Sequence, residues 1–372
     1  MKFIDLDAQQ KKIRAKIEKR VLKVLDHGMY IMGPEVFELE QQLAKYVGVN
    51  YCVSCASGTD ALLIPLMAKG IGPGDAVITT PFTYIATAEV ISLLGAEPVF
   101  ADIYPNTFNI NPYEIEKAIK RAKIRGLKPK AIIPVDLFGL PARHRVIDEI
   151  ANEENLFIIE DAAQGLGGSI RSKKAGSLGD VASTSFFPAK PLGCYGDGGA
   201  IFTDNKDLAD KMKSIRVHGS GLDKYENIRI GMNGRLDTIQ AAILLEKLSI
   251  FDNELTLRNQ IAKYYTKRIN SKLQKPYVPD KYFSSWAQYS LIAKDENHRK
   301  KIMVSMKNSN IPIMIYYKIP LHLQKCFEHL DYNPGDFPIA EDCSKRIFSI
   351  PMYPYIEKKS QDFIIETINR IL

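Results

Sequence analysis

The chain has 372 residues, of which 45% are hydrophobic and 25% charged, a composition typical of a globular protein with two or three compact units. Its net charge is +7, but 50 basic and 43 acidic residues are interleaved along the chain. A basic excess spread in this way suits an anionic small molecule as well as a polyanion. Because the excess is dispersed, we expect no nucleic-acid partner.

Two features of the sequence predict a cytoplasmic protein with no membrane segment. The N-terminus lacks the apolar core of a signal peptide, and the most apolar stretch, residues 78–100, is interrupted by Pro81, Glu89 and Pro98. The five cysteines are an odd number, which favours reduced thiols. Cys52 and Cys55 form a C-x-x-C pair, but they lie in an apolar run without a neighbouring histidine. We therefore interpret them as core thiols rather than as a metal or redox site.

In the first half of the chain, short apolar runs alternate with helical patterns. These runs and patterns lie at residues 77–79, 84–94, 98–101, 131–135, 143–152 and 156–159. Strands that alternate with helices of this length predict βαβ units. The sequence therefore predicts an α/β fold with a mostly parallel sheet covered by helices on both faces.

The pattern changes in the second half of the chain. A long helical pattern from about Leu236 to Ile269 interrupts the alternation, and the chain beyond about Tyr277 is richer in proline, lysine and aromatic residues. We therefore predict a smaller C-terminal α+β domain in addition to the large one. The predicted parts are an N-terminal arm of residues 1–30 that packs on the smaller domain, a large domain of residues 31–250 and a smaller domain of residues 251–372.

The first candidate site segment, residues 57–62 (SGTDAL), follows a predicted strand and opens a predicted helix. The start of a helix offers free backbone N–H groups and the positive end of the helix dipole, which suits a phosphate. Gly58 allows close approach of the backbone, and Thr59 adds a hydroxyl donor. Taken alone, the segment is explained at least as well by ordinary capping, a common role of serine and threonine.

The second segment, residues 158–164 (IIEDAAQ), places an acidic pair after an apolar strand, at the edge where open α/β sheets bind ligands. A buried Asp161 needs a partner, because its ionised form is otherwise costly. A protonated pyridine nitrogen is such a partner. If a helical turn starts at Asp161, Gln164 faces the same side and could reach the hydroxyl of that ring. The alternative is an aspartate that only caps the following turn.

In the third segment, Lys190 has surroundings unlike those of a solvated surface lysine. It follows an aromatic run, lies between Pro188 and Pro191, and enters a loop with four glycines. A desolvated amine in this position suits Schiff-base chemistry, and Ser185 could donate to a phosphate. The glycines do not form the strand-turn-helix G-x-G-x-x-G of a dinucleotide site, which argues against a nicotinamide-dependent oxidoreductase.

The fourth segment, residues 231–237 (GMNGRLD), leads into the long helical pattern. From spacing alone, its Asn233 and Arg235 are caps or surface residues. Together the four segments resemble the sugar-nucleotide aminotransferases, the DegT-like branch of the fold type I pyridoxal-phosphate enzymes. The resemblance covers essentially the whole chain, and it implies the seven-stranded type of sheet found in aspartate aminotransferase.

The resemblance also implies the residues of a pyridoxal 5'-phosphate site that needs no metal. Lys190 would carry the cofactor as a Schiff base, Asp161 would pair with the pyridinium nitrogen, and Gln164 would meet the ring hydroxyl. The other implied cofactor contacts are Gly58, Thr59 and Ser185 at the phosphate, Tyr84 by stacking, and Asn233 from the second subunit of a homodimer that shares its active sites across the interface.

On the substrate side, the resemblance implies that Arg235 binds the anionic part of a sugar nucleotide and that Tyr316 and Tyr317 meet the substrate. Residues 190–199 are most similar to members that aminate carbon 3 of a keto sugar, such as those making UDP-2-acetamido-3-amino-2,3-dideoxyglucuronate. Those members often have His-Tyr where this chain has Tyr316-Tyr317. A UDP-linked 2-acetamido sugar, a dTDP-linked 6-deoxy sugar and a 4-keto sugar therefore all stay open as substrates.

The activity implied is a two-step transamination that provides amino sugars for surface glycans. L-glutamate would donate the amino group, and the freed Lys190 amine would move the proton as general base and acid. Two rival activities share the fold. A pyridoxal-phosphate sugar dehydratase has histidine in place of the lysine, and a non-catalytic relative would lack Lys190 or Asp161, whereas both residues are present here.

Overall fold

The computed structural model describes residues 1–223 and 225–371. In chain order, the α-helices α1 to α12 are Leu6–His27, Pro34–Val47, Gly58–Lys69, Ala86–Leu93, Pro112–Ile124, His144–Glu154, Lys206–Arg216, Thr238–Leu248, Phe251–Arg268, Glu296–Asn308, Pro338–Arg346 and Lys358–Ile371. The strands β1 to β12 are Tyr51–Cys55, Asp75–Thr79, Glu97–Phe100, Lys128–Ile132, Phe157–Asp161, Ser169–Ile170, Lys173–Lys174, Val181–Ser185, Gly199–Thr203, Tyr282–Phe283, Tyr289–Ile292 and Ile347–Ile350. Short 3-10 helices lie at Leu137–Gly139, Leu321–Leu323 and Lys325–Leu330. In these described residues, no helix is long and apolar enough to cross a membrane.

Seven strands form one sheet in the order β1-β9-β8-β5-β4-β2-β3. Strand β9 is antiparallel to both of its neighbours, and the other neighbouring pairs are parallel. Both β8 and β9 are buried along their whole length, as expected for a sheet with helices on both faces. The predicted α/β fold with a mostly parallel sheet, and the seven strands implied by the resemblance, are confirmed.

Alternate residues of β1 show how helices cover the two faces of the sheet. Val53 and Cys55 pack in a cluster with residues of α3 and α7, whereas Cys52 packs in a different cluster with residues of α2 and α8. Successive side chains of a strand point to opposite faces, so these clusters lie on opposite sides of the sheet. Cys52 and Cys55 are buried free thiols within them.

A second core forms around the short antiparallel pair β11–β12. Tyr289 of β11 and Phe348 of β12 are buried there with Tyr265 of α9 and with residues of α10 and α12. Tyr265 and Tyr289 pack edge to face, with ring centroids 5.2 Å apart. This core lies in the C-terminal part of the chain, where the sequence predicts a smaller α+β unit.

The long helix predicted from Leu236 to Ile269 is wrong, because the structure has two helices there. α8 ends at Leu248 and α9 begins at Phe251, and the Ser249 hydroxyl at the break bonds the Glu246 carbonyl oxygen at 2.7 Å. α8 buries its apolar residues against α1 and α2, whereas α9 runs on into the second core. Helical periodicity continues across the break, so periodicity alone does not reveal it.

The predicted N-terminal arm of residues 1–30 consists mainly of α1. Its buried residues Ile13 and Ile17 pack on Ile243 of α8, within the range predicted as the large domain. Ile4 packs against the second core. The arm therefore contacts both units rather than the smaller one alone.

A buried ion pair joins α2, β1 and α7. Arg216 of α7 donates to the carboxylate of Glu40 on α2 and to the carbonyl oxygen of Ser54 on β1. Glu40 also accepts from the amide and the hydroxyl of Ser54, each at 2.8 Å. Arg216 is 3% exposed and Glu40 8% exposed, so neither charge is solvated by bulk water.

We predict that Arg216→Met lowers the free energy of unfolding by about 3–5 kcal/mol, because it leaves the Glu40 carboxylate buried without its cation. Urea denaturation followed by circular dichroism measures the change. The matched control is Arg370→Met, which breaks the exposed pair with Glu366 and should change stability by less than about 1 kcal/mol. Equal effects of the two substitutions would contradict the prediction.

Candidate active site

The site lies at one edge of the large sheet. Strands β1, β5 and β8 run in the same direction, because β9 is antiparallel to both β1 and β8 and β5 is parallel to β8. Their last residues, Cys55, Asp161 and Ser185, therefore come to the same edge. This is the edge at which parallel sheets bind ligands, as expected for the segment of residues 158–164.

The start of α3 forms an anion-binding cradle against β8. Ser57 caps the helix by accepting from the amide of Asp60 at 3.0 Å. Gly58 and Thr59 occupy the first two helical positions, where the amides have no acceptor within the helix. A Cβ atom at Gly58 would lie only 2.5 Å from the Cβ of Ser185, so only glycine allows this approach. The predicted phosphate residues Gly58, Thr59 and Ser185 are thus brought together.

Asp161 is a buried carboxyl group with two hydrogen bonds. Its Oδ2 accepts from the Thr87 hydroxyl at 2.8 Å and its Oδ1 from the amide of Ala163 at 3.1 Å. Burial raises the pKa of Asp161 above its ordinary value, although these hydrogen bonds and the nearby Lys190 charge favour the ionised form. A cationic group bound next to Asp161 would lower this pKa and stabilise the ionised carboxylate.

Thr87 is part of the site although the sequence analysis did not select it. It lies on α4, within the segment that supplies Tyr84, and its hydroxyl also lies 3.1 Å from the hydroxyl of Thr83. A threonine on a largely apolar helix is weak evidence by itself. The contact with Asp161 joins residues 74 positions apart, so it becomes visible only in the fold.

Lys190 is held in the loop that follows β8. Its amide donates to the carbonyl oxygen of Phe187 at 2.8 Å, which closes a turn around Pro188. Burial lowers the pKa of Lys190, and the charge of Asp161 acts in the opposite direction. The amine and the carboxyl group therefore interact electrostatically.

A second lysine, Lys247 of α8, fixes the loop beyond Lys190. Its Nζ donates to the carbonyl oxygen of Gly193 at 2.6 Å and lies 4.1 Å from the centroid of the Tyr195 ring. Lys247 is 1% exposed, and burial lowers its pKa to about 8. The sequence analysis missed this residue. The sequence indicates a buried Lys247 only through its spacing, because it follows Leu244 by three positions on the apolar face of a helix.

Gln164 and Tyr317 meet at the site from distant parts of the chain. The Gln164 side chain accepts from the amide of Phe138 at 2.7 Å and donates to the Tyr317 hydroxyl at 2.9 Å. Residues 163–167 form a turn, in which the amide of Leu166 donates to the carbonyl oxygen of Ala162 at 3.0 Å. Tyr317 packs edge-on against Phe82, and burial raises the pKa of its hydroxyl. Its neighbour Tyr316 is half-buried and contacts Phe3.

The remaining predicted contacts lie at the surface of the single chain. Tyr84 is 59% exposed and Asn233 is also exposed. The segment that carries Asn233 adjoins the cradle, because the Ala56 amide donates to the Gly234 carbonyl oxygen at 3.0 Å. Arg235 is half-buried and lines a cavity of about 650 Å³, whose other members include His218 and Arg229.

The arrangement fits a cofactor with an anionic group and a cationic ring. The cradle at α3 offers amide donors to an anion, and burial raises the pKa of Asp161 despite the nearby Lys190 charge, so a further cationic group would stabilise its ionised form. Lys190 supplies an amine whose proton is held weakly. These three features suit the phosphate, the pyridine nitrogen and the aldehyde of pyridoxal phosphate in turn.

Comparison with known proteins gives the same assignment. The family model described as the DegT/DnrJ/EryC1/StrS aminotransferase family matches residues 11–369. The chain is 45% identical over 361 residues to the UDP-2-acetamido-2-deoxy-3-oxo-D-glucuronate aminotransferase of Pseudomonas aeruginosa, covering 97% of each chain. It is similar to the crystal structure of a DegT DnrJ EryC1 StrS aminotransferase from Brucella abortus, with a TM-score of 0.96, 48% identity and coverage of 100% of this chain and 99% of that one.

The cofactor assignment has structural support among these relatives. A Bacillus subtilis structure with the bound cofactor PMP matches with a TM-score of 0.91 and 29% identity, covering 100% of this chain and 85% of that one. The cofactor of this fold and family is pyridoxal 5'-phosphate, in agreement with the chemistry of the cradle, Asp161 and Lys190. The chain belongs to the DegT/DnrJ/EryC1/StrS aminotransferase family.

Proposed function

We propose that the protein transfers an amino group from L-glutamate to carbon 3 of a nucleotide-linked keto sugar, with Lys190 as the residue that carries the cofactor. The observation that carries the proposal is the desolvated Lys190 amine beside the buried Asp161 carboxyl group, at the same sheet edge as the anion cradle. Pyridoxal phosphate, when bound, supplies the electron sink for the transfer.

In the proposed reaction, each residue of the site would have a separate role. Burial lowers the pKa of Lys190, which leaves its Nζ able to take a proton from the substrate carbon and return it. Thr87 holds Asp161 by its hydrogen bond, and the carboxylate so fixed would pair with the pyridine nitrogen of the cofactor. Gln164, fixed by Phe138 and Tyr317, would hold the ring hydroxyl. Burial of these groups keeps bulk water from competing for their hydrogen bonds.

A homodimer would complete this site. The exposed Asn233 and Tyr84 would meet the cofactor once a second subunit covers the surface around them. Several large apolar side chains near the same loops are at least 49% exposed, namely Met29, Tyr30, Ile31, Phe187, Ile228 and Ile230. Exposed apolar side chains in such number are typical of a surface that another chain covers.

The substrate class follows from the cationic cavity and the relatives. Arg235 and Arg229 line one cavity, which suits the diphosphate of a nucleotide sugar or a sugar carboxylate. The Pseudomonas aeruginosa relative is named for a UDP-linked 3-oxo sugar, which favours carbon 3 and UDP over carbon 4 and dTDP. Tyr316 and Tyr317 would contact the sugar. A dehydratase is the weaker candidate, since Lys190 occupies the position at which that branch has histidine.

We also propose a cytoplasmic location. The five cysteines are free thiols, four of them buried and Cys326 exposed. An exposed thiol without a partner is typical of a reducing compartment. This proposal is independent of the reaction assigned above.

Lys190→Ala should abolish transamination, because no other group at the site can attach the cofactor and move the proton. Production of 2-oxoglutarate from glutamate measures turnover, and the visible absorbance of the purified protein reports covalent attachment of the cofactor. Lys206→Ala, an exposed lysine paired with Asp210, is the control and should keep full activity. Retention of even a tenth of the wild-type rate by Lys190→Ala would contradict the proposal that Lys190 carries the cofactor.

A panel of 3-keto and 4-keto sugars linked to UDP and to dTDP tests the substrate. We expect the highest kcat/KM with a UDP-linked 2-acetamido 3-keto sugar and glutamate. Arg235→Gln should raise KM by about tenfold or more with little change in kcat, because Arg235 would hold the anionic part away from the reacting carbon. Faster turnover of 4-keto sugars would instead support the alternative position of amination.

Lys247→Met should lower the free energy of unfolding by about 1–3 kcal/mol at about pH 7, because the buried Gly193 carbonyl oxygen loses its donor. The pKa of Lys247 is lowered in the folded state to about 8, so the wild type gains stability relative to the variant as the pH rises from there to the ordinary lysine pKa. Urea denaturation at several pH values measures both effects. Lys206→Met is the exposed control, and a difference that does not grow with pH would contradict the prediction.

A further inference from the structure

Three ionisable side chains form a fully buried cluster behind the site. Asp136 follows β4, Glu160 lies on β5 and His144 begins α6, and their relative exposures are 0%, 0% and 2%. One nitrogen or oxygen atom from each lies within 4.8 Å of the others. Glu160 precedes Asp161, so its side chain points to the opposite face of the sheet. None of the three takes part in the proposed reaction.

The hydrogen bonds around the cluster show which oxygen atoms already receive a proton donor. The two Glu160 oxygens accept from the amides of Gly176 and Leu178, at 2.7 and 2.8 Å. Asp136 Oδ1 accepts from the amide of Ala142 at 2.8 Å and lies 2.9 Å from His144 Nε2. Asp136 Oδ2 is buried and receives no N–H or O–H from residues 1–223 and 225–371.

An oxygen atom of Asp136 and one of Glu160 nevertheless lie within 4.8 Å of each other. Two ionised carboxylates this close together and fully buried would repel each other strongly, so one of the two should carry a proton. Both oxygens of Glu160 are occupied by amide donors, which favours its ionised form. Asp136 Oδ2 has no donor among the described residues, so it is the atom on which the proton fits.

We propose that Asp136 and Glu160 share one proton and that this pair, with His144, positions the backbone that carries Asp161 and Gln164. The Asp136 amide donates to the carbonyl oxygen of Asp161 at 3.0 Å, and two residues later the Phe138 amide donates to the Gln164 side chain. Asp136 is therefore a positioning residue. The inference rests on the cofactor contacts proposed above for Asp161 and Gln164.

The turn after Asp161 packs directly on the shared pair. A Cβ atom at Gly165 would lie 2.4 Å from the Cβ of Asp136, so the turn and the aspartate are in close contact. Loss of the shared proton would leave two buried negative charges side by side. Their repulsion would separate β4 from β5, the two strand ends that set the positions of Asp161 and Gln164.

The charge balance of the cluster gives the direction of its pH dependence. Burial raises the pKa of both Asp136 and Glu160, and burial lowers the pKa of His144, so the imidazole is neutral and donates from Nε2. A carboxyl pKa that is raised on folding makes the protein less stable as the pH rises above the ordinary carboxyl range. The other ionisable side chains that interact with these three are Asp161, Asp148 and Tyr282.

Two isosteric substitutions test where the proton lies. Asp136→Asn places an N–H where the protonated Oδ2 stands and keeps the Oδ1 acceptor, so it should bind pyridoxal phosphate within about threefold of the wild type near pH 7. Glu160→Gln places an N–H against the amide of Gly176 or Leu178 and should weaken binding by about tenfold or more. Glu153→Gln, an exposed position on α6, is the control. Fluorescence titration of the apoprotein measures the affinity.

A second readout does not depend on the cofactor. The melting temperature of the wild-type apoprotein should fall relative to that of Asp136→Asn as the pH rises from about 5 to about 9, because the variant has no proton to lose at this position. This comparison of melting temperatures still tests the inference if Glu160→Gln does not fold. If the wild type did not bind pyridoxal phosphate at all, the proposed function would fail while the thermal comparison still tested the pair.

Three results would overturn the inference. One is an Asp136→Asn variant that binds as weakly as Glu160→Gln. Another is a melting-temperature difference between the wild type and Asp136→Asn that is independent of pH. The third is stoichiometric metal in the purified protein that Asp136→Asn removes, because a metal ion would then occupy the place assigned to the proton.

Discussion

The site depends on the cost of placing a carboxyl group and an amine away from water at one sheet edge. Burial disfavours the charged form of both Asp161 and Lys190, while each group's charge favours the charge of the other. In the protein without cofactor, two states therefore compete: in one, Asp161 and Lys190 are both neutral, and in the other they form an ion pair. A cation bound beside Asp161 would stabilise its ionised carboxylate. The Lys190 amine would then no longer be needed as the partner of that charge. The surrounding hydrogen bonds are arranged around this balance.

Close backbone contacts hold these groups in place. Gly58 brings α3 against Ser185, and Lys247 binds the carbonyl oxygen of Gly193 from the other side of the loop. Neither contact touches the reacting atoms. Both restrict where the end of β8 and the following loop can lie, and Lys190 is part of that loop. These buried backbone contacts therefore help to fix the position of the loop that carries the Lys190 amine.

The sequence predicts those parts of the site that lie in short continuous segments. Asp161, Lys190 and the Gly58 cradle each follow a strand and could be identified from local pattern and resemblance. Thr87, Lys247 and Asp136 could not, because each acts on a residue far along the chain and lies in a segment with an ordinary helical or strand pattern. The two helices α8 and α9 were predicted as one for a related reason. Periodicity records that one face is buried, but it does not record which core buries it.

Helix α9 has a consequence for how the molecule can be divided. Phe251 and Leu255 in its first half pack in the core of the large sheet, and Ile261 and Tyr265 in its second half pack in the other core. Its 18 residues form one rod of about 27 Å. A chain cut at residue 250 would strip the first core of two large side chains and expose them on the fragment. The two cores therefore share one continuous helix, and a cut at residue 250 would separate the large-sheet core from side chains that complete it.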